Sequence, residues 1–245
     1  MRIAVVADIH GNLPALEAVV ADVARRGVDA VVNLGDSLSG PLLPLKTAQF
    51  LMAQDWLHIA GNHERQLLTG GPGRWNKSDA FTHPRLTASE LAWLASMRPT
   101  ACLEDDVFLC HGTPTSDVDY FLDVVEPTHV RIATVNEVDA RLGDVGASLV
   151  LCGHTHVPRA VRSSKGQLVV NPGSVGLPAF DDGRPYPHVM ETGSPDARYA
   201  LVERSGRAWG TSLIAVPYDH MSMAKLAGAH GRADWARALA TGFVL

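Results

Sequence analysis

The chain has 245 residues, of which 46% are hydrophobic and 19% are charged, a composition typical of a soluble globular protein. This length accommodates one large domain or two small ones, and the even spread of the motifs described below favours one. The net charge of -5 argues against broad binding to nucleic acid or acidic membranes, and no apolar run approaches the roughly 20 residues of a membrane-spanning helix.

The first part of the chain alternates apolar runs with amphipathic segments. Continuous hydrophobic runs of this kind are typical of buried strands, and they occur at residues 3–7, 30–34 and 56–60. A first helix is predicted from a cap at Asn12 to a stop at Gly27. A second helix is predicted over residues 43–53. This alternation predicts parallel strands joined by helical crossovers.

The middle of the chain is less regular. Residues 70–84 are rich in glycine, proline and polar side chains, which predicts a loop or lid. Thr87 and Glu90 form a capping box and predict a short helix over residues 91–96. A strand, a helix and a second strand are then predicted at residues 107–110, 128–142 and 149–152.

Two hairpins and a helical tail are predicted after residue 158. The first hairpin covers residues 159–170 and is followed by a tight loop at 171–174, and the second covers residues 199–216. The last 29 residues have a helical pattern and carry no motif. We expect a single domain over residues 1–245, with a motif core at 1–176 and a C-terminal hairpin and helical tail at 197–245.

Five short polar motifs directly follow five of the predicted strands. They are Asp8-Ile9-His10, Gly35-Asp36, Gly61-Asn62-His63-Glu64, His111-Gly112 and Gly153-His154-Thr155-His156. In open α/β proteins the binding crevice lies beyond the carboxyl ends of the strands, so these residues are expected to converge. Carboxylate, imidazole and amide ligands suit manganese, iron, zinc or magnesium, and the motifs contain no thiolate for a structural zinc cage. The motifs therefore predict a metal site, with two metals.

The spacing within the motifs suggests how the ligands are shared. Asp8 and His10 flank one residue, so at an extended strand end both would project to the same side and chelate one ion. His154 and His156 repeat this spacing, although they could instead serve neighbouring ions. Asp36 is the acidic motif residue that we expect to bridge the two ions.

The chain contains three cysteines, an odd number without CxxC spacing, which predicts free thiols in a reducing cytoplasm. Cys110 and Cys152 each end a strand beside a motif. Neighbouring side chains on a strand point to opposite faces, so both thiols are predicted to be buried and not to be ligands.

The ordered motifs resemble the calcineurin-like metallophosphoesterase superfamily over residues 8–156, and Asn-Pro-Gly-Ser-Val-Gly at 171–176 extends the resemblance towards its small bacterial phosphodiesterases. The resemblance implies an α/β (α+β) fold, a four-layer sandwich of two mixed β-sheets flanked by helices, with the later hairpins in the second sheet. It implies a first metal held by Asp8, His10, Asp36 and His156. It implies a second metal held by Asp36, Asn62, His111 and His154.

The same resemblance implies a reaction. A hydroxide bridging two divalent ions would attack phosphorus, and His63 would protonate the departing oxygen. Glu64 lies where it could orient His63. Asn62 and His63 are expected to contact the substrate, with Asn171 and Ser174 as further candidates. Manganese is the favoured metal, with iron, zinc and magnesium as alternatives.

One departure from the family bears on the substrate, a small phosphoester. The protein phosphatase branch places an arginine shortly after its Gly-Asp motif, whereas residues 35–40 here contain none. A phosphomonoester dianion gains more from an arginine fork than a diester does, so phosphodiesters are favoured. A nucleotide or dinucleoside polyphosphate hydrolase and a phosphomonoesterase are alternatives. A protein-binding scaffold is a weaker one, because every motif is intact. The oligomeric state is left open, a homodimer being one option.

Overall fold

Strands and helices alternate along the chain before a final helical pair. The structure, a computed structural model, describes residues 1–206 and 208–244. Its elements in chain order are β1 (Arg2–Val6), α1 (Leu13–Arg26), β2 (Ala30–Asn33), α2 (Pro44–Met52), β3 (Leu57–His58), α3 (Asn62–Thr69), α4 (Lys77–Thr82), a 3₁₀ turn (His83–Arg85), α5 (Ala88–Ser96), β4 (Thr100–Leu103), β5 (Val107–Cys110), β6 (Asp123–Val125), β7 (Val130–Ile132), α6 (Val135–Leu142), β8 (Leu149–Leu151), β9 (Arg159–Arg162), β10 (Leu168–Asn171), β11 (Ala179–Asp182), β12 (His188–Glu191), β13 (Ala197–Ser205), β14 (Ala208–Val216), α7 (His220–Ala229) and α8 (Ala233–Thr241).

Two mixed five-stranded sheets form the centre of the molecule. The first has the order β14-β13-β1-β2-β3 and the second the order β4-β5-β8-β10-β9. In each sheet three neighbouring strands are parallel, and antiparallel strands complete it. The predicted pair of mixed sheets is confirmed. The expectation that both later hairpins join the second sheet is wrong, because β13 pairs with β1 and so places the β13–β14 hairpin in the first.

Alternation along β1 shows how the layers are built. Ile3 and Val5 pack against residues of the second sheet, whereas Ala4 and Val6 pack against the helices on the outer face of the first. On the outer face of the second sheet, Val138 of α6 packs in a cluster that includes Cys110 and Cys152. The order of layers is therefore helix, sheet, sheet, helix. The prediction of buried free thiols at both positions is confirmed.

The helical tail covers one end of this sandwich. Helices α7 and α8 pack against each other and against Leu42, Leu177 and Ala179. The prediction of helices at the C-terminus is confirmed over the described residues. None of the helices in residues 1–206 and 208–244 has the length and apolar character needed to cross a membrane.

Three predicted segments differ in the structure. Residues 70–84 are not all loop, because α4 and the 3₁₀ turn occupy residues 77–85. Asn76 caps α4 by accepting hydrogen bonds from two backbone N–H groups, but a helix of six residues is too short to show a periodic pattern. The helix predicted from residue 128 begins only at Val135, after the β6–β7 hairpin. The short helix predicted over residues 91–96 begins three residues earlier, directly after its Thr87 cap.

Candidate metal centre

The polar motifs meet at one rim, where five strands end. Asp8 and His10 follow β1, Asp36 follows β2, Asn62 begins α3 just beyond β3, His111 follows β5, and His154 and His156 follow β8. Their side chains form two groups of potential ligands, in each of which the ligand atoms lie within 4.8 Å of one another. The groups are Asp8, His10 and His156, and Asp36, His111 and His154.

The first group surrounds an unpaired carboxylate oxygen. His10 Nε2 lies 3.1 Å from His156 Nε2, which lies 3.4 Å from Asp8 Oδ1. Asp8 is fully buried, and its Oδ1 has no hydrogen-bond partner among the described residues. Leaving a buried carboxylate oxygen unsatisfied is costly, and a cation between these three atoms would satisfy it.

The second group also brings acceptor atoms together. His111 Nε2 lies 3.1 Å from Asp36 Oδ2. Asn62, as its amide is oriented, places Oδ1 at 3.0 Å from His154 Nδ1, 3.1 Å from His111 Nε2 and 3.2 Å from Asp36 Oδ2. An amide oxygen at this position can ligate a cation, whereas the reversed amide would donate hydrogen bonds to all three atoms. Asn62 therefore lies beside this group, while its role as a ligand and bridging by Asp36 stay predictions.

In the four histidines of these two groups, a contact made by one ring nitrogen determines which nitrogen faces the centre. Each ring has one nitrogen within hydrogen-bonding distance of a backbone carbonyl, which can only accept. The pairs are His10 Nδ1 with Ser39 (2.7 Å), His111 Nδ1 with Leu34 (2.8 Å), His156 Nδ1 with Leu177 (2.7 Å) and His154 Nε2 with Val118 (3.1 Å). A nitrogen that donates to a carbonyl leaves the other one with a free lone pair. Both groups thus fit a divalent metal.

The pKa values of these histidines are shifted in opposite directions. Burial, reinforced by His156, lowers the pKa of His10 to about 3, and burial lowers that of His154 to about 4. Both are neutral at pH 7, as metal ligation requires. For His111, burial is outweighed by the Asp36 carboxylate, which raises the pKa to about 10. A metal ion would compete with that proton for the same Nε2 lone pair.

Five of the seven candidate ligands have a left-handed backbone instead of an extended one. Five of the six non-glycine residues with positive φ in the described chain are candidate ligands, namely Asp8 (54°), His10 (52°), Asp36 (53°), His154 (70°) and His156 (61°). Such a conformation costs of order 1–3 kcal/mol per residue and is concentrated at functional sites. The prediction that Asp8 and His10 project from an extended strand end is therefore wrong, although the two side chains do meet.

His63 lies between the two groups and has its own acidic partner. Its backbone N–H donates to Asp36 Oδ1 at 2.9 Å, and its ring centre lies 5.4 Å from that of His10. Its Nδ1 lies 2.7 Å from Oδ1 of Asp79, a buried residue of α4. Although burial opposes the charged form, Asp36 and Asp79 raise the pKa of His63 to about 9.

Asp79 is the functional residue that sequence reasoning missed. Its carboxylate also accepts hydrogen bonds from Ser39 Oγ at 2.6 Å and Asn76 Nδ2 at 2.8 Å, so its orientation is defined from three sides. The capping sequence that begins at Asn76 was a signal for α4, but nothing local links Asp79 to His63.

Glu64 does not orient His63, which corrects the prediction. Its buried carboxylate accepts hydrogen bonds of 2.8 Å from the backbone N–H groups of Asp36, Ser37 and Gly61. Glu64 therefore joins the loop after β2 to the start of α3, and positions the residues that surround it.

Asn171 and Ser174 brace loops, and neither lines the cleft, so their predicted contact with substrate is also corrected. Asn171 Nδ2 donates to the Gly153 carbonyl at 2.7 Å and to Thr155 Oγ1 at 3.0 Å. Ser174 Oγ donates to the Asp8 carbonyl at 2.7 Å. Both side chains are buried behind the ligands that they support.

An open cleft of about 2260 Å³ leads to these groups. It exposes His63 and Asn62 together with aromatic side chains from three separate segments, Trp75, Tyr120 and Phe180. Phe180 packs edge-on against His156, and Tyr120 against His154. The site is thus accessible to a ligand considerably larger than a phosphate ion.

Comparison with known proteins agrees with this centre. Residues 1–193 match the calcineurin-like phosphoesterase superfamily domain, and the chain belongs to that superfamily. It is therefore a member of a family of metal-dependent phosphoester hydrolases, with two candidate metal-ligand groups.

Individual relatives extend the likeness beyond the motifs. An uncharacterised protein of Methanocaldococcus jannaschii is 28% identical over 203 residues, which cover 72% of this chain and 76% of that protein. The crystal structure of a metallophosphoesterase from Sphaerobacter thermophilus superposes with a TM-score of 0.79 at 24% identity over 99% of each chain. A hypothetical protein from Pyrococcus horikoshii superposes with a TM-score of 0.74 at 18% identity, over 100% of this chain and 99% of that one. The two superpositions show a shared fold that includes the C-terminal tail.

Proposed function

We propose that this chain is a phosphodiesterase that uses two divalent metal ions. The observation that carries the proposal is the pair of adjacent ligand groups with His63 between them, at the end of an open cleft. Asp8, His10 and His156 would hold one ion, and Asp36, Asn62, His111 and His154 the other.

The metals are proposed to be manganese. Carboxylate, imidazole and amide ligands also accept iron, zinc or magnesium, so the bound ion depends on supply as well as on affinity. When bound, two such ions would polarise the phosphoryl oxygens and lower the pKa of a coordinated water towards ~7.

His63 is proposed to protonate the leaving oxygen of the ester. The contact of its Nδ1 with Asp79 fixes the ring and supports the imidazolium, which leaves Nε2 to face the cleft. A positioned acid of this kind typically contributes ~10²–10⁴-fold to the rate.

The preference for diesters rests on the loop after Asp36. Residues 37–40 are buried and include no arginine, so this loop offers no guanidinium to the extra charge of a phosphomonoester. The proposed substrate is accordingly a small phosphodiester.

The proposal is tested with protein stripped of metal by a chelator and then supplied with Mn²⁺. We expect manganese-dependent hydrolysis of bis(p-nitrophenyl) phosphate that exceeds hydrolysis of p-nitrophenyl phosphate. An Asp36→Asn variant is the control and should lose both metal and turnover. Faster turnover of the monoester would contradict the diester preference, and no turnover by metal-loaded protein would contradict the enzymatic role.

A further inference from the structure

One part of the cleft carries several cationic side chains. Arg74, Lys77 and Arg232 line it near α4 and the start of α8, together with the carboxylates of Asp79 and Asp234. These cations offer N–H groups to an anion even though the whole chain is acidic. An anionic group on a bound molecule would be attracted to a cation that keeps N–H groups free.

Arg232 is the best-positioned of these cations. Its side chain is 14% exposed, Nε and Nη2 contact the Asp234 carboxylate at 2.7–3.1 Å, and Nη1 donates to Ser78 Oγ at 3.1 Å. A guanidinium carries five N–H groups, so one on Nη1 and one on Nη2 have no partner among the described residues. Because the fork is already held in place, little side-chain entropy would be lost when it binds an anion.

Contacts on two sides place Arg232 one side chain away from the metal centre. Its guanidinium carbon lies 5.4 Å from the ring centre of Trp235, whose ring lies 5.8 Å from that of His10. Its other neighbour, Ser78, directly precedes the Asp79 that contacts His63. An anion bound by Arg232 would therefore lie next to the phosphoryl group that reacts at the metal centre, and would be a separate group of the substrate.

We propose that Arg232 binds a second anionic group of the substrate, so that the enzyme favours phosphodiesters that carry an additional phosphate. This inference rests on the proposed function. Arg232 lies beyond residue 193, where the family match ends, and belongs to none of the sequence motifs. The C-terminal helices would thus determine which phosphodiesters are accepted, while the motif residues perform the chemistry common to all of them.

The test compares two chromogenic diesters that differ by one phosphate. They are the p-nitrophenyl ester of thymidine 5′-phosphate and the same compound with a 3′-phosphate. We expect the wild-type protein to prefer the 3′-phosphorylated diester. Arg232→Gln should lower kcat/KM for that diester about 10- to 100-fold, the effect of losing a charged hydrogen-bonding partner, and should change the other diester less than about twofold.

Two further variants separate recognition from structure. Arg237→Gln makes the same change at an exposed position of α8 outside the cleft and should alter neither substrate. Ser78→Ala removes the contact between Arg232 and α4 but keeps the guanidinium, so the preference for the phosphorylated diester should persist. An equal loss on both diesters in Arg232→Gln would overturn the inference, because it would mean that Arg232 only supports the fold.

An error in the proposed function can be distinguished from an error in the inference about Arg232. If metal-loaded wild-type protein hydrolyses neither diester, the proposed function is wrong. Calorimetric titration with thymidine 3′,5′-bisphosphate then decides the inference by itself. Weakening of its binding by Arg232→Gln but not by Arg237→Gln would support a binding role, and equal affinities in all three proteins would overturn it.

Discussion

At the scale of single residues, the contact between Asp79 and His63 bears most directly on the proposed role of His63. Asp79 is buried and accepts hydrogen bonds from Ser39 and Asn76 as well as lying 2.7 Å from His63 Nδ1. A carboxylate held in this way orients an imidazole and stabilises its charged form. Its contact with Nδ1 leaves Nε2 facing the cleft, and in the imidazolium that nitrogen carries the proton to be donated.

Asp79→Asn should lower kcat about tenfold, because the neutral amide supports the imidazolium less than a carboxylate does. His63→Ala should lose about 10²–10⁴ in kcat while retaining both metals. The double variant should be no slower than His63→Ala alone, because Asp79 acts through His63. Steady-state kinetics with metal analysis of each protein checks this, and additive losses or a fall in metal content in Asp79→Asn would contradict it.

At the scale of elements, a buried polar contact joins α1 to the first sheet. Tyr199 of β13 is fully buried, and its hydroxyl donates to Asp22 Oδ2 of α1 at 2.6 Å. Arg25 and Arg26 each donate to the same carboxylate at 2.7 Å. Burial tends to raise the pKa of Asp22, but these hydrogen bonds prevail and hold its pKa below the usual range. The helix is thus anchored to the sheet by a group that must stay ionised.

Asp22→Asn should reduce the free energy of unfolding by about 1–3 kcal/mol at pH 7, the range for a buried hydrogen bond to a charged group. Folding lowers the pKa of Asp22, so its contribution to the free energy of unfolding is fully present above the pKa of the unfolded chain, about 3.9. That contribution is lost as the pH falls through the pKa of the folded protein. The difference from wild type should therefore shrink between pH 5 and pH 3. Urea unfolding at several pH values measures it.

Asp55→Asn is the matched control for this prediction, because Asp55 is exposed and should leave stability unchanged. A difference between wild type and Asp22→Asn that is constant across this pH range would show that the ionised carboxylate is not the stabilising group.

At the scale of the whole molecule, the candidate metal centre joins the two sheets. In the first ligand group Asp8 and His10 follow a strand of the first sheet and His156 a strand of the second. In the second group Asp36 comes from the first sheet, whereas His111 and His154 come from the second. Metal ions would link the two halves of the sandwich, and would do so only when the chain is folded.

Saturating Mn²⁺ should therefore raise the unfolding temperature of the chelator-treated protein. Ligand at 100 times its dissociation constant stabilises by about 2.7 kcal/mol, which corresponds to roughly 5–10 °C for a protein of this size. Differential scanning calorimetry with and without metal measures the shift. Asp36→Asn should show a smaller shift, and an unchanged unfolding temperature in wild type would contradict binding between the sheets.

Much of this protein can be predicted from short stretches of its sequence. The apolar runs at β1, β2, β5 and β8, the cap at Asn12 and the capping box at Thr87 all depend on neighbouring residues, and each was found close to its predicted place. The polar motifs were recognisable for the same reason, since each directly follows its strand. Strand propensity, hydrophobic alternation and capping are local properties.

Tertiary structure decided which distant groups meet. Asp79 and His63 are 16 residues apart, in separate helices, and Arg232 reaches the cleft from the far end of the chain. The left-handed backbone at the ligands and the bracing by Glu64, Asn171 and Ser174 likewise arise from loops packed against each other. The sequence by itself determined the chemical groups of the site and the strands that present them. Their partners depend on how the two sheets and the helical tail pack, because contacts between distant segments leave no periodic pattern in the chain.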